Sequence, residues 1–180
     1  MYRIGLISDT HGQWDSRIAR IFDGVSHIVH AGDIGSERVI TRLEKIARVT
    51  AVKGNTDIDE MACYPEFTMV ELCGLRFFVT HILGKSSGMK LDVMKALHLM
   101  RPDVVVYGHT HLYVAEQLSG ALFVNPGSAG PKRFNNPRTA ADLTVQDRNI
   151  IINFYDIDAR ESGRVLTSRS FTLPLPEPMQ

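Results

Sequence analysis

Residues 3–12 read RIGLISDTHG, and this stretch decides the fold. Arg3 to Ser8 is apolar without alternation, the mark of a strand covered on both faces, and it breaks straight into Asp9-Thr10-His11-Gly12. Four further apolar runs end in the same manner. HIVH (27–30) leads into Gly32-Asp33, and 49–53 into Gly54-Asn55-Thr56-Asp57. The run 75–80 leads into His81, and VVV (104–106) into Gly108-His109-Thr110-His111. In α/β proteins, sites form beyond the carboxyl ends of the strands, so five such loops are expected to converge on one rim.

Between the first strands the apolar period changes to that of helices. Ile18, Ile21, Phe22 and Val25 follow i, i+3, i+4, i+7 spacing, as one helix face does. Val39, Ile40, Leu43 and Ile46 mark a second helix, with Ser36 as its N-cap. After Pro65 the signals become antiparallel. One hairpin is expected across Cys73-Gly74 and another across Ser119-Gly120, with strands near 140–145 and 150–155. A helix around 89–100 separates the two hairpins and stops at Arg101-Pro102. The expected fold is therefore α/β: a four-layer α/β/β/α sandwich with two mixed β-sheets. Residues 1–172 form one domain in this reading, and 173–180, with three prolines in LPLPEPM, an extended tail.

Composition narrows the function classes. The chain has 180 residues, a length that supports one core without metal or disulfide staples. Lys plus Arg equals Asp plus Glu at 20 each, so no global positive field favours long nucleic acids. No run approaches the roughly 18 apolar residues of a membrane span, and no signal peptide is read at MYRIGLISDT, so no membrane partner is expected. Cys63 and Cys73, the two cysteines, make no metal or redox pattern, which suits a reducing, cytoplasmic setting. Charge and length leave a homo-oligomer open.

The polar residues at the strand ends carry the chemistry. Asp9, His11, Asp33, Asn55, His81, His109 and His111 offer carboxylate, amide and imidazole donors and no thiolate. Such a set suits Mn, Fe, Zn or Ni, and it is too large for one tetrahedral zinc. It suffices for two ions about 3.5–4 Å apart, an arrangement that clamps in-line displacement at phosphorus. Singly, each residue would more often cap a loop; as an ordered set past five strands they point to a site. His30 stands between a supporting role and that of a satisfied strand-end residue. His27 and His98 read as structural or solvent-facing, Lys85, Lys132 and Arg133 as surface charge, and Asn125-Pro126-Gly127-Ser128 as a turn at the rim.

In this order the motifs resemble those of the calcineurin-like metallophosphoesterase superfamily, and more closely its small bacterial and archaeal phosphodiesterase branch. The matching residues are Asp9/His11, Gly32-Asp33, Gly54-Asn55, His81 and Gly108-His109-Thr110-His111, extended by Asn125 to Ser128. The resemblance implies a phosphodiesterase with two divalent ions, Mn first and Ni, Zn, Fe or Mg as alternatives. One ion would take Asp9, His11, Asp33 and His111. The other would take Asp33, Asn55, His81 and His109, with Asp33 bridging and a shared hydroxide attacking phosphorus. Asn55 and His109 would also hold a phosphate oxygen. The implied substrate is a small phosphodiester or a nucleotide-like ester.

Two departures from the family pattern carry consequences. Thr56 follows Asn55, where many family phosphatases have a proton-donating His, and the chain continues Ile82-Leu83-Gly84-Lys85 after His81, where relatives often have Gly and another His. Asp57 is the candidate substitute acid, or else an orienter of a ligand. Without a positioned acid, aryl esters should be cleaved faster than alkyl esters. The alternatives carried forward are a phosphomonoesterase of the same fold and a non-catalytic interaction scaffold. A mononuclear amidohydrolase would place His-x-His after the first strand, where Asp-x-His stands.

Overall fold

The computed structural model describes residues 2–85, 88–89, 91–133, 136–160 and 163–175. Its elements run β1 (Tyr2–Ile7), α1 (Ser16–Ile21), β2 (His27–His30), α2 (Glu37–Glu44) and β3 (Arg48–Ala51) in the first third of the chain. A 3-10 turn at Asp59–Cys63 then leads to β4 (Phe67–Leu72), β5 (Leu75–Thr80), β6 (Gly84–Lys85), β7 (Gly88–Met89) and α3 (Leu91–Met100). The remainder is β8 (Val104–Val106), β9 (Tyr113–Leu118), β10 (Ala121–Pro126), β11 (Thr139–Gln146), β12 (Asn149–Asp156) and β13 (Val165–Thr172).

Two mixed sheets result. One has the order β13-β12-β11-β1-β2-β3, the other β4-β5-β8-β10-β9. β1, β2 and β3 are parallel, whereas β1 meets β11 antiparallel; in the second sheet β8 is parallel to both β5 and β10. The parallel strands need crossover helices, which is why the helical period appears between them.

Strand alternation assigns each apolar side chain to a layer. Ile4 and Leu6 face the second sheet and pack with Phe77, Val79, Val104, Val106, Leu122 and Val124. Ile7 and Ile28 turn the other way, against Ile18, Ile21 and Phe22 from the first helical segment and Val39, Ile40 and Leu43 of α2. Val93 and Ala96 of α3 cover Phe78 and Val105 on the far face of the second sheet. The layers are helix, sheet, sheet, helix, as the sequence leads one to expect. Burying each such large side chain is worth about 1.5–3 kcal/mol.

The first helix is shorter than its apolar period. It ends at Ile21, with Phe22 as C-cap, and Gly24 at φ +75° turns the chain so that Val25 stays buried outside the helix. Ser36 caps α2 by accepting the Arg38 N–H, as its position predicts. β13 lies outside the sequence reading; it is an edge strand paired with β12, and its burial pattern is mostly exposed. Within the expected tail, Leu173 is buried and donates its N–H to Arg148 O at 2.9 Å, while 176–180 lie outside the described residues.

Candidate metal centre

The five loops meet beyond the ends of their strands, and backbone hydrogen bonds stitch them together. Beyond the paired strands β1 and β2 the ladder continues: Asp9 N–H donates to Gly32 O, His11 N–H to Asp33 O and Gly12 N–H to Ile34 O, at 2.7–2.9 Å. Within the second sheet, Gly108 N–H donates to His81 O at 3.1 Å and ties the loops after β8 and β5 together. Ala129 and Gly130 then donate to Ser8 O and Asp9 O, at 3.0 and 2.9 Å. Asp9, His11, Asp33, His109 and His111 all have φ between +47° and +70°, a region that L residues rarely adopt. Such backbone persists where the surroundings overdetermine it, which is typical of functional sites. Two glycines make the close approach achievable. A Cβ on Gly54 would lie 2.0 Å from Asp33 Oδ1, and one on Gly108 2.0 Å from Ser8 Oγ.

The carboxylates are each divided between support and site. Asp9 Oδ2 accepts from Ser8 Oγ at 2.7 Å and His109 N–H at 3.1 Å, and its Oδ1 is left for the site. Asp33 Oδ1 accepts from Thr56 N–H at 2.9 Å. Asp33 Oδ2 lies 3.8 Å from His11 Nε2 and 3.4 Å from His81 Nε2, and Asp9 Oδ1 lies 3.1 Å from His111 Nε2 and 4.0 Å from His81 Nε2. His109 stands edge-on to His81 with ring centroids 5.3 Å apart, and His11 faces His111 at 5.7 Å. Asn55 is exposed and borders a cleft together with His81.

Histidine orientation is fixed from behind. His81 Nδ1 is 2.7 Å from Ala31 O, so it carries the proton and leaves the Nε2 lone pair facing the carboxylates. Asp9 Oδ1, His11 Nε2 and His81 Nε2 are buried polar atoms without a hydrogen-bond partner. Buried polar groups are ordinarily paired, so unpaired acceptors gathered with further carboxylate and imidazole donors are the signature of a cation site. Their donor atoms fall into two groups that share Asp9: Asp9/His11/His111 and Asp9/Asp33/His81. Oxygen and imidazole donors without thiolate fit divalent ions.

Electrostatics follow the same geometry. Burial works to raise the Asp33 carboxyl, but the His81 imidazole and the Thr56 N–H hold it well below the usual range. Burial works to lower His81, yet Asp33 and Asp9 raise it overall. His11 and His109 lack so close a match and are pushed down, chiefly by burial.

Asp57 is placed behind the loops. Its Oδ1 accepts the Gly35 N–H at 2.8 Å, and its Oδ2 accepts Ile34 N–H at 3.0 Å and Gly54 N–H at 2.8 Å. Of the two roles expected for it, these three backbone donors favour orientation over proton donation. His30 is fully buried; it accepts the Gly32 N–H on Nδ1 and meets Thr10 Oγ1 through Nε2 at 2.9 Å. His27 contacts Thr50 Oγ1 at 2.8 Å away from the site, and His98, Lys132 and Arg133 are exposed. The Lys85 side chain lies outside the described residues.

Three supports went unread in the sequence or were read too weakly. Ser8 holds Asp9, as above. Asn125, read as part of a turn, is fully buried and donates to Gly108 O at 2.8 Å and Thr110 Oγ1 at 3.0 Å, while its Oδ1 accepts Gly127 N–H. Arg138 binds Gly130 O and Ala129 O, and pairs with Asp15 and Asp158. For Asn125 and Arg138 the signals were weak because the partners lie far along the chain or on the backbone, whereas Ser8 is adjacent to Asp9 and reads as the end of a strand.

Comparison with known proteins gives a consistent picture. The sequence profile described as "Calcineurin-like phosphoesterase superfamily domain" matches residues 2–148. A phosphodiesterase of Methanocaldococcus jannaschii is 33% identical over 142 residues, covering 69% of this chain and 82% of that protein. Phosphodiesterase YfcE of Escherichia coli is 33% identical over 161 residues, covering 76% and 84%. Among solved structures, Vps29 of Chaetomium thermophilum superposes with a TM-score of 0.78 at 19% identity, over 97% of this chain and 100% of that one, a likeness of fold.

Proposed function

The chain belongs to the calcineurin-like phosphoesterase superfamily, and from that premise we propose that it is a metal-dependent phosphodiesterase. The observation that carries the proposal is that Asp9 Oδ1, His11 Nε2 and His81 Nε2, buried and unpaired, fall with His111 and Asp33 into two adjoining donor groups that share Asp9. Asp9, His11, Asp33 and His111 would hold one divalent ion, and Asp33, Asn55, His81 and His109 a second, with manganese the expected occupant. Such a pair, when bound, makes hydroxide available near neutral pH and draws charge from phosphoryl oxygens.

The protein's own residues do the rest. Asp33 offers a single oxygen, Oδ2, between His11 and His81, because Thr56 N–H occupies the other. The Ala31 carbonyl keeps the His81 ring in the liganding orientation. Asn55, exposed at the cleft, and His109 donate to a phosphate oxygen as its charge grows, an electrostatic contribution. In hydrolysis, water oxygen bonds to phosphorus. The opposite P–O bond breaks with its electron pair on the departing oxygen, which takes up a proton, and a phosphomonoester and an alcohol result. Thr56 supplies no acid, and the Asp57 carboxylate is engaged by three N–H donors, so departing aryl oxides leave faster than alkoxides.

The substrate is a small phosphodiester and the setting cytoplasmic. Among the described residues no helix is long and apolar enough to cross a membrane. Metal-stripped protein should be assayed on bis(4-nitrophenyl) phosphate and 4-nitrophenyl phosphate with Mn, Ni, Zn or Mg restored. Faster metal-dependent cleavage of the diester supports the proposal, and a preference for the monoester makes the enzyme a phosphatase. Inactivity on both leaves the interaction scaffold as the reading.

A further inference from the structure

Beside the metal centre a cavity of about 90 Å³ opens between the loop after β3 and the start of α3. Asn55 and His81 form its inner wall, so it is continuous with the place where phosphorus would sit. Ile82 and Val93 give it an apolar side, while Thr80, Lys53 and Glu66 give it a polar one. Val93 and Thr80 are buried, at 4% and 3% exposure, so these walls are set by packing against the second sheet. The polar rim carries one cation and one anion, which favours a neutral group over an added phosphate.

We propose that this cavity receives one of the two alcohol groups of the diester, and that it selects a neutral alcohol of about three or four carbons. The inference rests on the phosphodiesterase reading above. Its basis is size together with amphipathic lining. Cavities that enclose a benzene ring measure about 150 Å³, so 90 Å³ accommodates a short chain and excludes a nucleoside. The carbons lie against Ile82 and Val93, and a terminal hydroxyl meets Lys53, Thr80 or Glu66. A diester thereby gains a contact that a monoester lacks, and that contact is the source of diester preference.

The test is a series of 4-nitrophenyl phosphodiesters that share one leaving group and differ in the retained alcohol: methyl, propyl, pentyl, 3-hydroxypropyl and thymidine-5′. Two extra buried methylenes should raise kcat/KM roughly tenfold from methyl to propyl. 3-Hydroxypropyl should match or exceed propyl, and the thymidine ester should fall at least tenfold below it. Val93→Phe fills the cavity and should reduce propyl to the methyl rate. Val93→Ala widens it by two methyl groups and should move the preferred retained alcohol from propyl to a longer pentyl chain, which decides the matter even if the larger side chain disturbs α3. A flat series in the wild type overturns the proposal, as does Val93→Phe slowing every ester by one common factor. Absence of hydrolysis of every ester with every metal overturns the phosphodiesterase reading itself, and this inference with it.

Discussion

Asp33 Oδ2 approaches His81 Nε2 to 3.4 Å while the opposite nitrogen of that ring is anchored 2.7 Å from the Ala31 carbonyl. The imidazole is thus oriented toward the carboxylate by a backbone group that cannot titrate. Asp33 is itself held from behind by Thr56 N–H. Each partner therefore has one nitrogen or oxygen spent on structure and one spent on the site.

Asp33→Asn replaces the oxygen between the two histidines with a neutral amide. Bound metal, read by elemental analysis, should fall by at least one equivalent, and turnover should drop a hundredfold or more. Melting temperature without metal should fall at neutral pH, because the carboxylate charge that His81 and the Thr56 N–H favour in the folded state is lost. Full metal content in this variant would show that Asp33 is not a ligand.

Gly54→Ala tests the close approach on the other side of the same carboxylate. The added Cβ would sit 2.0 Å from Asp33 Oδ1, so either the loop after β3 or the carboxylate must move. Activity should fall at least tenfold with circular dichroism unchanged. Gly24→Ala, whose Cβ would meet nothing within 4 Å, distinguishes this clash from a general effect of adding a methyl, although its φ of +75° carries some backbone strain.

Asp57→Asn separates orientation from acid catalysis. As an orienter, Asp57 ties the loop after β2, through Ile34 and Gly35, to the loop after β3, through Gly54. The variant should then weaken metal binding and lower kcat by a common factor at every pH. A donor role would instead remove the alkaline limb of the pH–rate profile and spare aryl esters. Leaving buried N–H groups without a full acceptor should also cost about 1–3 kcal/mol of stability.

His30 gives the fold an acid sensitivity of its own. Burial pushes its imidazole down to about 4, and protonating Nδ1 would set it against the Gly32 N–H. An unfolded histidine titrates near 6.5. Because the folded value is depressed, the contribution to stability is present above 6.5 and is lost as pH falls toward 4, to an extent of about 3 kcal/mol. Denaturant midpoints of metal-free protein at pH 7.5 and pH 4.5 should differ more in the wild type than in His30→Gln. Equal differences would place the titration elsewhere.

Much of this was legible in the sequence for a simple reason. Strands covered on both faces, such as β1 and β8, cannot hide among polar residues, so the loop after each could be located and its ligand types read. β13 was missed because an edge strand with Ser168, Arg169 and Ser170 facing water has no apolar alternation to show. The supports of the site were obscure for another reason. Asn125 looks like any residue that favours a turn, and only the fold brings its amide to Gly108, 17 residues away. Asp57 likewise acts on N–H groups, which every residue but proline possesses.

The seven candidate ligands come from both sheets: Asp9, His11, Asp33 and Asn55 follow strands of one, His81, His109 and His111 those of the other. Their mutual alignment is therefore governed by how firmly two slabs are registered, and the apolar filling between the slabs sets that tolerance. Phe77 is fully buried among the apolar side chains at their interface. Hollowing it to alanine removes about 3–5 kcal/mol of packing and permits one slab to shift over the other. Accuracy at the rim is in this sense a property of the interior.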